Sequence, residues 1–165
     1  MNFCGYEPID MINGEGVRCS LWVSGCSHGC RGCFNQKVWS YTSGNEFTDQ
    51  DLERLLTDLG RPFIKGLSVL GGEPLDPQNV DKVADILDRV RSVYGNKKDI
   101  MLWTGYKFIE VSERIKNLVD IVMDGKYDDS HPTTKRFRGS DNQVMWIKQN
   151  GKWKEENVNE QENPA

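Results

Sequence analysis

Long apolar runs are missing from this 165-residue chain. That excludes a helix of about 20 apolar residues spanning a bilayer. The opening MNFCGYEPID has no basic segment and no long apolar one, so no signal peptide is expected there. Cysteine is sparse and odd in number, five in all, which fits poorly with a full disulfide framework. An unexported chain stays in a reducing compartment, so a cytoplasmic location is expected, with cysteines kept for metal or redox work. Positive charge is not in excess either, since the net charge is −4. Broad binding to nucleic acid or to anionic membranes favours basic surfaces, and neither is expected here. No internal repeat or low-complexity block is present. What the chain does have is 37% hydrophobic and 28% charged residues, an ordinary balance for one globular domain with its own core. A single domain over residues 1–150 is expected. The polar GKWKEENVNEQENPA at 151–165 reads as a mobile tail.

Hydrophobic periodicity gives an order of elements. Tyr6 to Met11 and Arg18 to Ser24 look extended, joined by the turn-forming NGEG at 13–16. The stretch TDQDLERLLTDLG predicts a helix capped by Thr48, stapled by Phe47 onto Leu52 and ended by Gly60. Its apolar face is Leu52, Leu55, Leu56 and Leu59. A strand follows at Leu67 to Leu70. The next helix is expected to have Asp76 as N-cap, Pro77 at its first position and Gly95 at its close. Val80, Val83, Leu87, Val90 and Tyr94 form its buried stripe. Further strands are read at Ile100–Trp103, Ile121–Met123 and Val144–Ile147. Between the first two of these lies a helix with Phe108, Val111, Ile115 and Leu118 on one side. Strands alternating with helices predict an α/β fold, with a mostly parallel sheet and outer helices. The units are too few for a closed eight-stranded barrel, so an open partial (β/α) barrel is expected. Ligands of such sheets bind at the carboxyl ends of the strands. Those ends fall here at Gly71–Gly72, Thr104–Gly105 and Asp124–Gly125.

Three of the five cysteines lie in eight residues, CSHGCRGC, at Cys26, Cys30 and Cys33. Spacings of three and two residues aim several thiolates at one centre. Structural zinc is tetrahedral and wants four protein ligands. His28, Cys4 or Cys19 would have to supply the fourth. Cubane iron–sulfur clusters are normally held by four cysteines. Three would leave one iron open to a substrate, and the spacing favours this reading over zinc. A redox disulfide is disfavoured, because no CxxC stands beside a thioredoxin-like strand–helix unit. Downstream, LGGEPL at 70–75 sits where a strand meets a helix. It reads either as a plain turn or as a place where bare glycines let backbone groups approach a ligand. Glu73 adds a negative group suited to an ammonium.

Together, CSHGCRGC and GGEP resemble the radical S-adenosylmethionine (SAM) superfamily. The ordered motifs INGEGVR, VSGCSHGCRGCFN, LGGEPLDPQNV, WTGY, VMDGKY and RGSDNQV are similar to its activating proteins of anaerobic ribonucleoside-triphosphate reductase. The likeness runs from Tyr6 to about Val144. It implies a radical SAM-type partial barrel, with a [4Fe–4S] cluster on Cys26, Cys30 and Cys33 and SAM on the remaining iron. It places Gly32, Cys33 and Phe34 beside SAM, and Gly71, Gly72 and Glu73 at its methionine ammonium. Many superfamily members carry an aromatic residue before the third cysteine. Here that residue is Gly32, which is usual in this subfamily, and the aromatic is Phe34. No catalytic residue beyond the cluster ligands is implied. The implied function is reductive SAM cleavage that installs a glycyl radical on the large subunit of the reductase, with a flavodoxin-like protein as electron donor. The alternatives are an activase of a formate-lyase type enzyme, a zinc-binding interaction module and an electron carrier.

The remaining candidates have blander readings. Cys4 and Cys19 are expected to pack or stand idle. His28 is expected to orient the loop or face solvent. His131, before Pro132, belongs in a turn. Thr104 and Asp124 either touch SAM or cap strand ends. Trp103 and Trp146 are expected in the core. The locally basic KRFRG at 135–139 reads equally as a contact to the reductase, through Arg138, or as a solvated loop.

Overall fold

The computed structural model describes residues 1–156. Eight strands form one open, mixed sheet in the order β3-β1-β2-β4-β5-β6-β7-β8. The four central strands are β2 (Arg18–Val23), β4 (Gly66–Gly71), β5 (Asp99–Trp103) and β6 (Ile121–Asp124), and they run parallel. On one flank β1 (Asn2–Asp10) and the short β3 (Asn45–Glu46) pair antiparallel. On the other flank β7 (Val144–Gln149) and β8 (Lys152–Glu155) do the same. The α/β class and the open sheet match expectation. The antiparallel flanks make the sheet mixed rather than mostly parallel.

Alternation along the parallel strands sorts their side chains. Cys19, Leu21, Val23, Leu67, Val69, Ile100, Leu102 and Val122 join one apolar core. The helices α1 (Asp49–Leu59) and α2 (Val80–Tyr94) complete that core with Leu55, Leu56, Leu59, Val83, Ile86, Leu87 and Val90. A second, smaller cluster holds Met101, Met123 and Met145, with Trp103, Ile121 and Phe137 against it. Low on the sheet, the Arg18 side chain is 1% exposed and ion-paired to Asp99, and its Nε donates to Ser68 Oγ. Among the described residues no helix is long and apolar enough to cross a membrane.

The α1 cap forms as read. Thr48 Oγ1 accepts from Asp51 N–H, and the Asp51 carboxylate accepts from Thr48 N–H. Gly60 ends the helix with right-handed backbone. The start of α2 departs from expectation. Asn79, not Asp76, is the N-cap, and Pro77 lies in the preceding turn. The Asp76 carbonyl accepts from Val80 N–H, but its carboxylate is drawn to Ser27 Oγ at 2.7 Å. The third expected helix is broken. Phe108–Glu110 is one 3₁₀ turn, and α3 spans only Glu113–Leu118. Ser112 restarts the helix by accepting from Ile115 N–H, while the Asp124 carboxylate takes Phe108 N–H. The polar stretch after residue 150 is also corrected in part. Asn150 and Gly151 adopt positive φ, and Lys152–Glu155 pairs with β7. Residues 157–165 of the expected tail lie outside the described residues.

Candidate functional site

The cysteine loop leaves β2 over the carboxyl ends of the parallel strands. Its entry is fixed by backbone bonds from Gly25 N–H to Val38 O and from Cys26 N–H to Trp39 O. Gly72 N–H donates to Val23 O, and Glu73 N–H to Gly25 O, so the ends of β2 and β4 are stitched together. Asn79 Nδ2 adds bonds to Ser24 O and Glu73 O. Between these segments and the 125–143 loop opens a cleft, lined by all three cysteines of the motif. Phe34, Gly71, Gly72 and Glu73 also line it, together with Trp39, Trp103, Thr104, Gly105, Tyr127, Phe137 and Gln143. Gly32 does not. It sits outside the cleft with its backbone against Asp129.

The three thiols lie along the cleft wall as free, half-buried groups. Among the described residues no three His, Cys, Asp or Glu side chains are already gathered as a metal-binding group. The chemistry of the donor set still fits a cationic centre. Burial pushes the Cys26 thiol up, and nearby Glu73, Cys30 and Cys33 add to that against a backbone N–H from His28. A positive centre removes this mutual repulsion and favours thiolate. Among the described residues a fourth protein ligand, as zinc would need, is not gathered with the three thiols. The His28 Nε2 is 2.8 Å from Glu73 Oε2. Cys19 is fully buried in the core, and the exposed Cys4 points its sulfur at the Trp22 carbonyl. Three thiols without a fourth ligand among the described residues suit an iron–sulfur cluster with one open position.

The Glu73 side chain is 1% exposed and fully engaged. Its Oε1 accepts from Thr104 Oγ1 at 2.7 Å and Leu75 N–H at 2.9 Å. Its Oε2 accepts from Gly105 N–H at 2.7 Å and from His28. The carboxylate read as an ammonium partner is therefore spent on holding loops together. Ser27 and Tyr41 converge on Asp76. Burial opposes ionisation of Asp76, but those hydroxyls and nearby N–H groups outweigh it and hold its carboxyl below the usual carboxylate range. The same contact pushes the Tyr41 phenol up to about 12.

The outer wall is the 125–143 loop. Arg31 grips Asp129 through both Nε and Nη2, and Phe34 packs on Tyr127 with ring centroids 4.8 Å apart. Trp103 Nε1 donates to the Phe137 carbonyl. Trp103 packs against the Met101–Met123–Met145 cluster, as expected of a core residue, and its ring also lines the cleft. Trp146 packs as well, stacked on Phe108 at 4.5 Å. Asp124 caps, accepting from Phe108 N–H, Val144 N–H and Trp146 Nε1. His131 sits in a turn closed onto Asp128. Arg138 is not a docking surface, because its side chain is 4% exposed and ion-paired to Glu156. Trp39 and Phe137 lie outside the ordered motifs that the sequence offers, whereas Tyr127 and Gln143 lie within VMDGKY and RGSDNQV without a role assigned to either.

The family described as a 4Fe-4S single cluster domain matches residues 12–146. Several curated relatives bear the name anaerobic ribonucleoside-triphosphate reductase-activating protein. The one from Enterobacteria phage T4 is 41% identical over 155 residues, covering 93% of this chain and 99% of that protein. The one from Vibrio cholerae is 41% identical over 152 residues, covering 88% and 97%. The one from Escherichia coli K12 is 40% identical over 151 residues, with the same coverage.

Proposed function

The chain belongs to the family of anaerobic ribonucleoside-triphosphate reductase-activating proteins, with a 4Fe-4S single cluster domain, and from that premise we propose that it is a radical SAM activase. Its protein substrate is the large subunit of the anaerobic reductase, its electron donor a flavodoxin-like protein, and its setting the cytoplasm. The open sheet is read as a partial barrel of the radical SAM type, supported by four adjacent parallel strands with helices outside. One observation carries the proposal: the three thiols of CSHGCRGC and the GGEP turn open onto a single cleft at the strands' carboxyl ends.

Cys26, Cys30 and Cys33 would hold a [4Fe–4S] cluster. The chemistry supplied by the bound cluster is one-electron reductive cleavage of SAM, whose outcome is a glycyl radical on the reductase. Everything else belongs to the protein, which binds, orients and insulates. The GGEP turn has spent the N–H groups of Gly72 and Glu73 on Val23 and Gly25. The Glu73 carbonyl is taken as well, by Asp76 N–H and Asn79 Nδ2, so the carbonyls of Gly71 and Gly72 are the ones proposed to meet an ammonium. Glycine at 71 and 72 keeps that edge bare. Trp103, Phe137 and Trp39 wall the cleft against water. Phe34, 77% exposed at the mouth, lies where SAM and an entering peptide would meet.

The test is anaerobic purification with assay of iron, sulfide and zinc, then addition of dithionite and SAM. Iron and sulfide with 5′-deoxyadenosine, and a glycyl radical signal only with the reductase present, are expected. Zinc without iron points to a binding module, and iron without SAM cleavage to an electron carrier. A radical raised on a formate-lyase type enzyme instead would change the target. Cys30→Ala should lose iron and SAM cleavage together; cleavage that survived would refute the ligand set.

A further inference from the structure

His28 stands between the first two cysteines of the motif, yet its side chain is only 8% exposed. The ring meets Glu73 Oε2 at 2.8 Å and packs edge-on against Tyr106, with centroids 4.8 Å apart. Backbone N–H groups can only donate, so both Glu73 oxygens are acceptors, and Nε2 carries the proton of this bond. Gly105 makes room for the ring, since a Cβ there would overlap it. The Glu73 carboxylate therefore joins three segments: the cysteine loop through His28, its own turn through Leu75, and the end of β5 through Thr104 and Gly105. The loop's other side-chain ties are weaker anchors. Arg31 is 81% exposed, and Ser27 lies at the surface.

We propose that His28 is a positioning residue: clasped by Glu73, it fixes the cysteine loop, and with it the cluster, against the turn that binds SAM. This rests on the reading of Cys26, Cys30 and Cys33 as cluster ligands. The clasp is separable from folding. The ends of β2 and β4 are stitched by their backbones, and Glu73 keeps three donors when His28 is removed. Groups that orient metal ligands from behind typically change metal affinity or activity by about 10- to 100-fold.

The test compares full-length wild type, His28→Ala and His28→Gln, reconstituted anaerobically with iron and sulfide. Three quantities are read: the thermal midpoint of the cluster-free protein, the rate of iron loss to a ferrous chelator, and the electron paramagnetic resonance spectrum of the reduced cluster with and without SAM. His28→Ala should shift the midpoint by only about 2–4 °C. It should lose iron about 10- to 100-fold faster and show a weakened spectral response to SAM. His28→Gln, which keeps a donor near the ε position, should restore both properties. A His28→Ala protein that holds iron and answers SAM like wild type overturns the clasp alone. A His28→Ala chain that does not fold, or a His28→Gln chain that rescues nothing, makes the residue structural and overturns it too. Wild type that binds no iron overturns the ligand reading beneath it.

Discussion

Substituting alanine for Gly71 tests how closely the ends of β2 and β4 must approach. Gly71 is the last residue of β4, paired with Val23, and its φ is +115°. A Cβ there would stand 2.6 Å from Val23 O and 2.7 Å from Val23 N, whereas ordinary contact begins at 3.4 Å. The obstacle is backbone, so no side-chain rotation relieves it. Relief requires parting the two strand ends, which stretches the 2.8 Å bond from Gly72 N–H to Val23 O. Strained φ costs about 1–3 kcal/mol, overpacking about 1–3 kcal/mol and a weakened hydrogen bond about 1 kcal/mol. The terms overlap, and a loss of about 3–6 kcal/mol is expected. With an m value of about 2 kcal/mol/M, the urea midpoint of the cluster-free protein falls by about 1.5–3 M. Gly151→Ala is the control. Gly151 has φ +75° but open space where its Cβ would stand, so only the conformational cost of about 1 kcal/mol applies. If the two variants lost equal stability, the close-approach argument would be wrong.

Three further perturbations address side chains that hold the surroundings of the site in place. Asp124→Ala strands the donors of Phe108, Val144 and Trp146; urea unfolding should register a loss of about 2–4 kcal/mol, and an unchanged midpoint would deny the cap. Arg138→Ala removes the buried pair with Glu156 and the bond to Gln143 O. It should cost about 3–5 kcal/mol, and weakened reductase binding by a fully stable variant would restore the docking role. Asp76 is held below the usual carboxylate range, so its ionised form favours the folded state. Its contribution is complete above the unfolded value near pH 4 and is lost as pH falls through the lower folded value. Asp76→Asn should flatten the acid limb of a thermal-midpoint profile, and an unaltered limb would contradict this.

What was legible depended on how local the cause was. Helix α1 could be read to its cap, because Thr48 and Asp51 settle it within one turn. The start of α2 could not. Asp-Pro is an honest N-terminal signal, but Ser27, 49 residues away, claims the Asp76 carboxylate. Residues 2–5 become strand only by pairing with the far end of β2 and with β3, partners that no local pattern announces. In β8 the charged side chains of KWKE masked a hairpin, yet Asn150-Gly151 was a turn signal in plain view. The three cysteines and GGEP could be singled out because their spacing is chemistry, and the fold brings them to one cleft. The fate of the Glu73 charge was not legible, since three of its four donors come from other loops.

That junction bears on how the site works. The His28 and Thr104 bonds to Glu73 close loops of 45 and 31 residues. Neither contact repays its loop-closure entropy alone. Once the parallel strands have brought their carboxyl ends together, most of that ordering is already done. A single buried carboxylate can then collect four donors at little further entropic cost. The cysteine loop is thereby ordered before any cofactor arrives, and binding energy goes into holding the cluster rather than into folding the loop. It follows that the cluster-free protein should protect the amides of Leu75 and Gly105 from hydrogen exchange nearly as well as its core strands do. Fast exchange at both, in a protein whose β4 and β5 exchange slowly, would show that the junction forms only around the bound cluster.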